Sequence, residues 1–348
     1  MPQTPVISVD TLQRENVNYQ EYFKNLPAFL LEIFLATFHA NLLEVQGEDR
    51  LLLTRRKGNL MGPYVPGSSE ASEREVMKIV ESALKVEKCY LGLKDYIGNY
   101  KNKKVLSNQG EKLDNKTKKH PLEVEIISKS VTTFVEDFVL SSFHAERDND
   151  GTTPMDAFDG LYTKLADLIT AGEVSEAKGN LIPTGAFTTP EDADDTEAFD
   201  MLVEFFEALD PFAKSVQLDL HIPQTVLSYV LKAYKNKVKN FKDPTLAEVM
   251  QAIKDAALLS FVPNAIYSPI LGTGQRITVT TPGNIDIGMN TKSDVQFVQV
   301  RQPYPDPNFI QFWIQGDFGT RWNDWHRKVF ACNDQASQAN VSLAGDYS

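Results

Sequence analysis

Apolar residues along the chain follow more than one period, and the change of period marks out the elements. Between Leu122 and Phe143 (LEVEIISKSVTTFVEDFVLSSF), Val124, Ile127, Val131, Phe134 and Phe138 recur at steps of three and four, which predicts a helix with one apolar stripe. Pro121 stands at its start, where a missing N–H costs nothing. Shorter helices are predicted over Leu161 to Ala171, Ala198 to Leu209 and Pro223 to Lys239, the last with Val226, Val230 and Tyr234 on one face. Val216 to Ile222 (VQLDLHI) alternates as a strand does. In the last third the period of two dominates. Arg276 to Thr281 and Asn284 to Met289 flank Pro282-Gly283 and read as a hairpin. Ser293 to Gln302 and Phe309 to Gly319 are long alternating strands joined by PYPDPN, and Trp325 to Asp334 (WHRKVFACND) adds a third.

The first hundred residues are less regular. Ala28 to Phe38 (AFLLEIFLATF) predicts a helix apolar nearly all round, which must be covered on more than one side, with a neighbouring subunit the suspected cover. Gly47 to Gly67, punctuated by glycine and proline, reads as an irregular extended arm. Glu70 to Leu84 carries Val76, Ile79, Val80 and Leu84 at helical spacing, and a short amphipathic helix is expected; Val86 to Tyr96 is expected as a strand. Helices and strands mix without a βαβ repeat, so the fold class is α+β.

Charge changes the picture in one place. The 348-residue chain has a formal charge of −12, so it is not a general nucleic-acid binder, and any such contact has to be local. Lys101 to Lys119 (KNKKVLSNQGEKLDNKTKK) runs the other way, with Lys101, Lys103, Lys104, Lys112, Lys116, Lys118 and Lys119 against two acids. It carries no aromatic side chain for base stacking and cannot build a core. Taken alone it is a solvated face; on an acidic protein its electrostatic partner is another copy of the same chain.

Little in the sequence points to chemistry. Cys89 and Cys332 lie far apart and imply a reducing compartment without disulfides. The five histidines, at 39, 120, 144, 221 and 326, have no metal-ligand spacing, and no metal or other cofactor is expected. The loop Glu146 to Ala157 matches a calcium loop at Asp148, Asp150 and Gly151, but Ala157 stands where the closing bidentate glutamate is required. Gly272 to Arg276 (GTGQR) is a turn rather than a phosphate loop, and no nucleophile is placed beside a base, so no enzyme is expected. No secretory signal opens the chain, no stretch is long and apolar enough to span a membrane, and the tail after Asp334 is expected to be mobile.

The order of arm, flexible loop, long helix, mixed core and closing strands resembles the tailed-phage major capsid proteins of the Hong Kong 97 fold, in particular a group from phages and prophages of Bacteroidetes. The residues that carry the resemblance are Phe158, Asp159, Gly160 and Leu161 (FDGL), then Leu218 to Tyr234 (LDLHIPQTVLSYVLKAY), and the endings TPGNIDIGMNTKSDVQFVQV and FWIQGDFGTRWNDWHRKVF. The resemblance implies an N-terminal arm with helices over 1–85 and an extended loop over 86–121 that lies across a neighbouring subunit. It implies a peripheral domain of 122–197 with 290–335, holding Leu122 to Phe143 as its spine helix, an axial domain of 198–289, and a flexible tail of 336–348. Hexamers and pentamers of this chain would then form an icosahedral head around double-stranded DNA, with the seven lysines as inter-subunit contacts and no sequence-specific DNA binding or membrane. Scaffold, portal and decoration proteins are the further partners implied, and the location is the virion head, assembled in the bacterial cytoplasm. An encapsulin-type shell around cargo, or a soluble enzyme with a dispersed site, are the alternatives.

Overall fold

The structure, a computed structural model, describes residues 31–56, 77–96, 122–239, 243–290, 298–301 and 309–339. Helix α1 (residues 31–38) leads into β1 (Ala40–Glu44), the hairpin strands β2 (Glu48–Arg56) and β3 (Met77–Lys85), and β4 (Glu87–Tyr96). The long α2 (Leu122–His144) and α3 (Leu161–Thr170) follow, then β5 (Leu181–Ile182), α4 (Glu197–Glu207), β6 (Asp219–Pro223), α5 (Gln224–Val238) and α6 (Leu246–Ala256). The chain closes through β7 (Asn264–Ser268), β8 (Thr278–Thr280), β9 (Ile285–Met289), β10 (Val298–Arg301), β11 (Phe309–Trp322) and β12 (Phe330–Asn333).

Two five-stranded sheets organise these elements. One has the order β1-β9-β11-β10, with β4 paired along β11 from Phe309 to Phe318 beside the end of β9; the other runs β5-β12-β8-β6-β7. The second sheet separates two cores. Leu220, Ile222, Val279 and Ala331 pack against α4, α5 and α6, whose Phe199, Leu202, Phe205, Phe206, Val226, Val230, Val249 and Ile253 are buried with them. Phe330, Cys332 and Ile266 face the other way, into a core shared with α1, α2, α3 and the first sheet. Alternation of side chains along each strand is what lets one sheet serve two cores.

Most predicted elements are present, and the differences have identifiable causes. Val80 and Leu84 sit at helical spacing but also at a spacing of four along a strand, and pairing with β2 makes Met77–Lys85 a strand instead of the expected helix. The same pairing turns Glu48–Arg56 into regular structure where an irregular arm was expected. Pro282-Gly283 does not close a hairpin: β8 pairs with β12 and β6, whereas β9 pairs with β1 and β11, so the chain crosses there from one sheet to the other. Asn284 holds that crossing, donating from Nδ2 to Thr280 Oγ1 at 2.7 Å and to the Asp324 carbonyl at 2.7 Å. Strand β12 likewise joins the second sheet, not the closing pair β10–β11. Strands from outside the expected 198–289 span, β5 and β12, complete the sheet beneath α4 to α6.

Helix α1 finds its cover within the chain. Leu31, Phe34 and Phe38 are buried, Phe34 and Phe38 contact Phe143 with ring centroids 6.2 and 4.8 Å apart, and Phe38 stacks on His221 of β6. Ile33 on the other side is half exposed, so the expected cover on several sides reduces to one. The start of the tail is docked rather than mobile: Thr273 N donates to the Gln338 carbonyl at 3.0 Å and Gln275 N to that of Ala336 at 3.1 Å. Positions 340–348 lie outside the described residues.

Candidate assembly surfaces

The FDGL residues form an internal corner joint. Helix α2 ends at His144, a loop follows in which Glu146 N bonds to the Met155 carbonyl, and Gly160 N then returns to the Ala145 carbonyl at 2.7 Å. A Cβ on Gly160 would lie 2.7 Å from the Phe143 carbonyl carbon and the Ser141 oxygen, so only glycine lets α3 start this close to the end of α2. Phe158 and Leu161 are buried on either side, the first against Phe138, the second accepting from Trp322 Nε1 at 2.9 Å through its carbonyl. Asp159 accepts from Arg147 N at 2.9 Å, and its carbonyl accepts from Thr320 Oγ1 at 2.9 Å. Lys164, one turn further on, donates to the Thr320 carbonyl, and burial holds its pKa below that of an ordinary lysine. The motif therefore fastens the spine helix, α3 and β11 together; it holds architecture, not a ligand.

The hairpin β2–β3 is the element with two different faces. Leu51, Leu53, Arg55, Val80, Ser82 and Leu84 share the face turned to the body, while Leu52, Met77 and Ile79 are exposed on the other. Its base rests on Gly288 and Gly319, which stand directly opposite each other in β9 and β11. A Cβ on Gly319 would come 2.0 Å from the Lys85 carbonyl, and one on Gly288 would meet Leu84 and Val86 at 3.0 Å, so this bed has to be free of side chains. Arg321 is the buried anchor. It faces Asp286 across the β9–β11 ladder at 2.9 Å and reaches Asp49 at the foot of the hairpin at 3.0 Å, while Asn41 and Asn323 donate to the other Asp286 oxygen. Further out, Arg55 bonds Asp324 at 2.8 Å and lies over the Trp325 ring, and Ser82 Oγ donates to the Trp322 carbonyl at 2.7 Å. In the sequence Arg55 stands out only as part of the basic cluster TRRK, and Asp286, Gly288, Gly319 and Arg321 lie unmarked within the two endings that carry the resemblance, because a cross-strand pair is visible only once the register is known.

The seven lysines, at 101, 103, 104, 112, 116, 118 and 119, lie outside the described residues. Of the groups weighed for chemistry, Cys89 and Cys332 are buried, and burial first of all pushes both thiols up to about 12, which keeps them protonated and unreactive. Burial depresses His221 to about 3, with the charge of His39 a further cause, so the ring is neutral and acts as an aromatic plate between Phe38 and Trp322. His39 bonds the buried Asp219 at 2.7 Å and ties the end of α1 to β6. The acidic loop closes on itself, Asp148 accepting from Asp150 N and Asp156 from Thr153. Among the described residues no three His, Cys, Asp or Glu converge as metal ligands, and no helix is long and apolar enough to cross a membrane.

No protein-family model and no curated protein sequence matches the chain. Solved structures do. One match is a chain of the satellite phage P4 procapsid including size determination (Sid) protein, with TM-score 0.53 and 10% identity, covering 88% of this chain and 89% of that chain. Another is a chain of the capsid of a native GTA particle, with TM-score 0.51 and 14% identity over the same shares. At such identity the likeness is one of fold. The α+β architecture of this chain, a long spine helix between two sheets with a hairpin laid on one of them, is the Hong Kong 97 fold of phage capsid structures.

Proposed function

We propose that the chain is a major capsid protein: a structural, non-catalytic subunit that assembles with copies of itself, as hexamers and pentamers, into an icosahedral phage head enclosing double-stranded DNA. The observation that carries this reading is the fold match extending over 88% of the chain to capsid structures. In this reading α2 is the spine of a peripheral domain and α4 to α6 over the second sheet form the axial domain. The paired strands β2 and β3 take the part of the extended loop, because β4, at the start of the span 86–121, is paired along β11 inside the body.

The exposed Leu52, Met77 and Ile79 then face the neighbouring subunit, and the lysines of 101–119 clamp its acidic surface through many weak contacts, each worth ~0–1 kcal/mol. The net charge of −12 suits a container that must release its DNA. Scaffold, portal and decoration proteins are further partners in this reading, and the virion head, assembled in the host cytoplasm, is its place.

Negative-stain electron microscopy of the purified protein, with the ratio of absorbance at nucleic-acid and protein wavelengths, tests it. Closed shells or capsomer rings, with DNA in particles from infected cells, are the expected result. Shells that carry protein cargo and exclude nucleic acid would point to a compartment instead, and a monomer under every salt and crowding condition would refute assembly.

A further inference from the structure

Strand β7 is the outer strand of the second sheet, and its free edge is open among the described residues. Asn264 N bonds to the Leu218 carbonyl, and the parallel register with β6 sets the parity: positions 264, 266 and 268 turn their backbone groups to β6, whereas Ala265 and Tyr267 turn theirs outward. Natural sheet edges are blunted by lysine or other charges. This one is not. From Ala256 to Gln275 the chain has no Asp, Glu, Lys or Arg, although 24% of the whole chain is charged.

The loop tips beside the edge are apolar and exposed as well. Phe261 and Val262 lie in the segment entering β7, and Phe212 comes from the adjacent loop, which is joined to this one by Ser260 N bonding the Lys214 carbonyl at 2.9 Å. Leu258 is the most telling residue. It follows α6 in the left-handed conformation, φ +55, with Leu259 N closing back on the Lys254 carbonyl, at the helix-ending position where glycine is ordinarily found. The side chain is 84% exposed, so packing within the subunit does not account for a leucine there. A residue held against its backbone preference at the surface points to a contact outside the subunit.

We infer that the free edge of β7, with Leu258, Phe261, Val262 and Phe212, is a contact between two copies of this chain, made by addition of a strand from the second copy. The inference rests on the assembly reading and names a surface for it. The partner is a second copy on electrostatic grounds: two molecules each at −12 repel over most of their surface, and a twenty-residue stretch without charge is where identical chains can approach most closely. The open backbone groups of Ala265 and Tyr267 supply direction, and the apolar tips supply the area removed from water.

Leu258→Gly separates this role from a structural one, since glycine suits the left-handed position. The variant is expected to melt at the same temperature as the natural chain or higher, yet to need roughly tenfold more protein to assemble, read by mass photometry against concentration. Residue-resolved hydrogen exchange gives the second readout: the Ala265 and Tyr267 amides are expected to exchange fast in the free subunit and slowly in the assembled particle, with Ile266 slow in both. Assembly of Leu258→Gly at the natural concentration, or fast exchange at 265 and 267 within assembled particles, would overturn the inference while leaving the shell reading intact. A natural chain that never assembles would remove both.

Discussion

The helical layer α4 to α6 and the hairpin β2–β3 are each laid against the body of the molecule, but they are held by different forces. Under the helical layer Phe205, Phe206, Leu202, Val226, Val230 and Ile253 are fully buried, and the attachment is the removal of apolar surface from water on a broad front. The hairpin has one fully buried leucine at its base and Val80 partly buried against the core, and its other fastenings are polar: Arg321 to Asp49, Arg55 to Asp324, Ser82 to a carbonyl. A hairpin of two strands is marginal without further packing. The difference teaches that the inner face of the helical layer is buried by its own subunit, while the hairpin is positioned by a few polar contacts and keeps Leu52, Met77 and Ile79 exposed among the charges of Glu48, Arg50 and Glu81 on its outer face.

The contrast can be broken at either end. Phe206→Ala, in the middle of the helical layer, is expected to cost ~3–5 kcal/mol and to lower the melting temperature of the whole chain, because nothing can collapse into the space. Arg321→Met is expected to cost about 3 kcal/mol, since Asp286 would remain buried without its cation; adding Asp286→Asn should recover part of the loss in the same thermal melt.

Arg55→Ala sharpens the comparison. It is expected to cost only ~1 kcal/mol overall, yet to speed hydrogen exchange in residues 48–56 while α4 to α6 stay protected. Equal acceleration in both regions would mean that the hairpin and the helical layer unfold as one unit. The smallest effect is at Asp137 on the spine helix, whose carboxyl is raised to about 6 by burial and, secondarily, by Glu136. A folded-state pKa above the unfolded 3.8 means stability that is fully present below that value and is lost as pH rises through about 6. Asp137→Asn should therefore melt slightly above the natural chain at pH 8 and no higher at pH 3.5.

How much of this was legible beforehand depends on the range of the interaction involved. The spine helix was legible because its stripe, from Val124 to Phe138, repeats over about four turns of one element, and α4 and α5 for the same reason. Helix α6 was missed although its start carries a local signal: Thr245 and Glu248 form a reciprocal capping box directly before the apolar run of α6. The FDGL corner was found as a motif, but its purpose was not visible, because Ser141, Thr320 and Trp322 reach it from other parts of the chain.

By itself, then, the sequence determined what depends on near neighbours: the mixed class, the position of the long helix, the alternating strands of the last third, and the placement of charge that leaves Lys101 to Lys119 basic and Ala256 to Gln275 neutral. Tertiary structure decided everything that depends on which strand finds which. It made Met77–Lys85 a strand by giving it β2 as a partner, sent β8 and β9 to different sheets on either side of Pro282-Gly283, and set Arg321 opposite Asp286. The physical reason is that a strand satisfies its backbone through residues remote in sequence, whereas a helix satisfies its own within four residues.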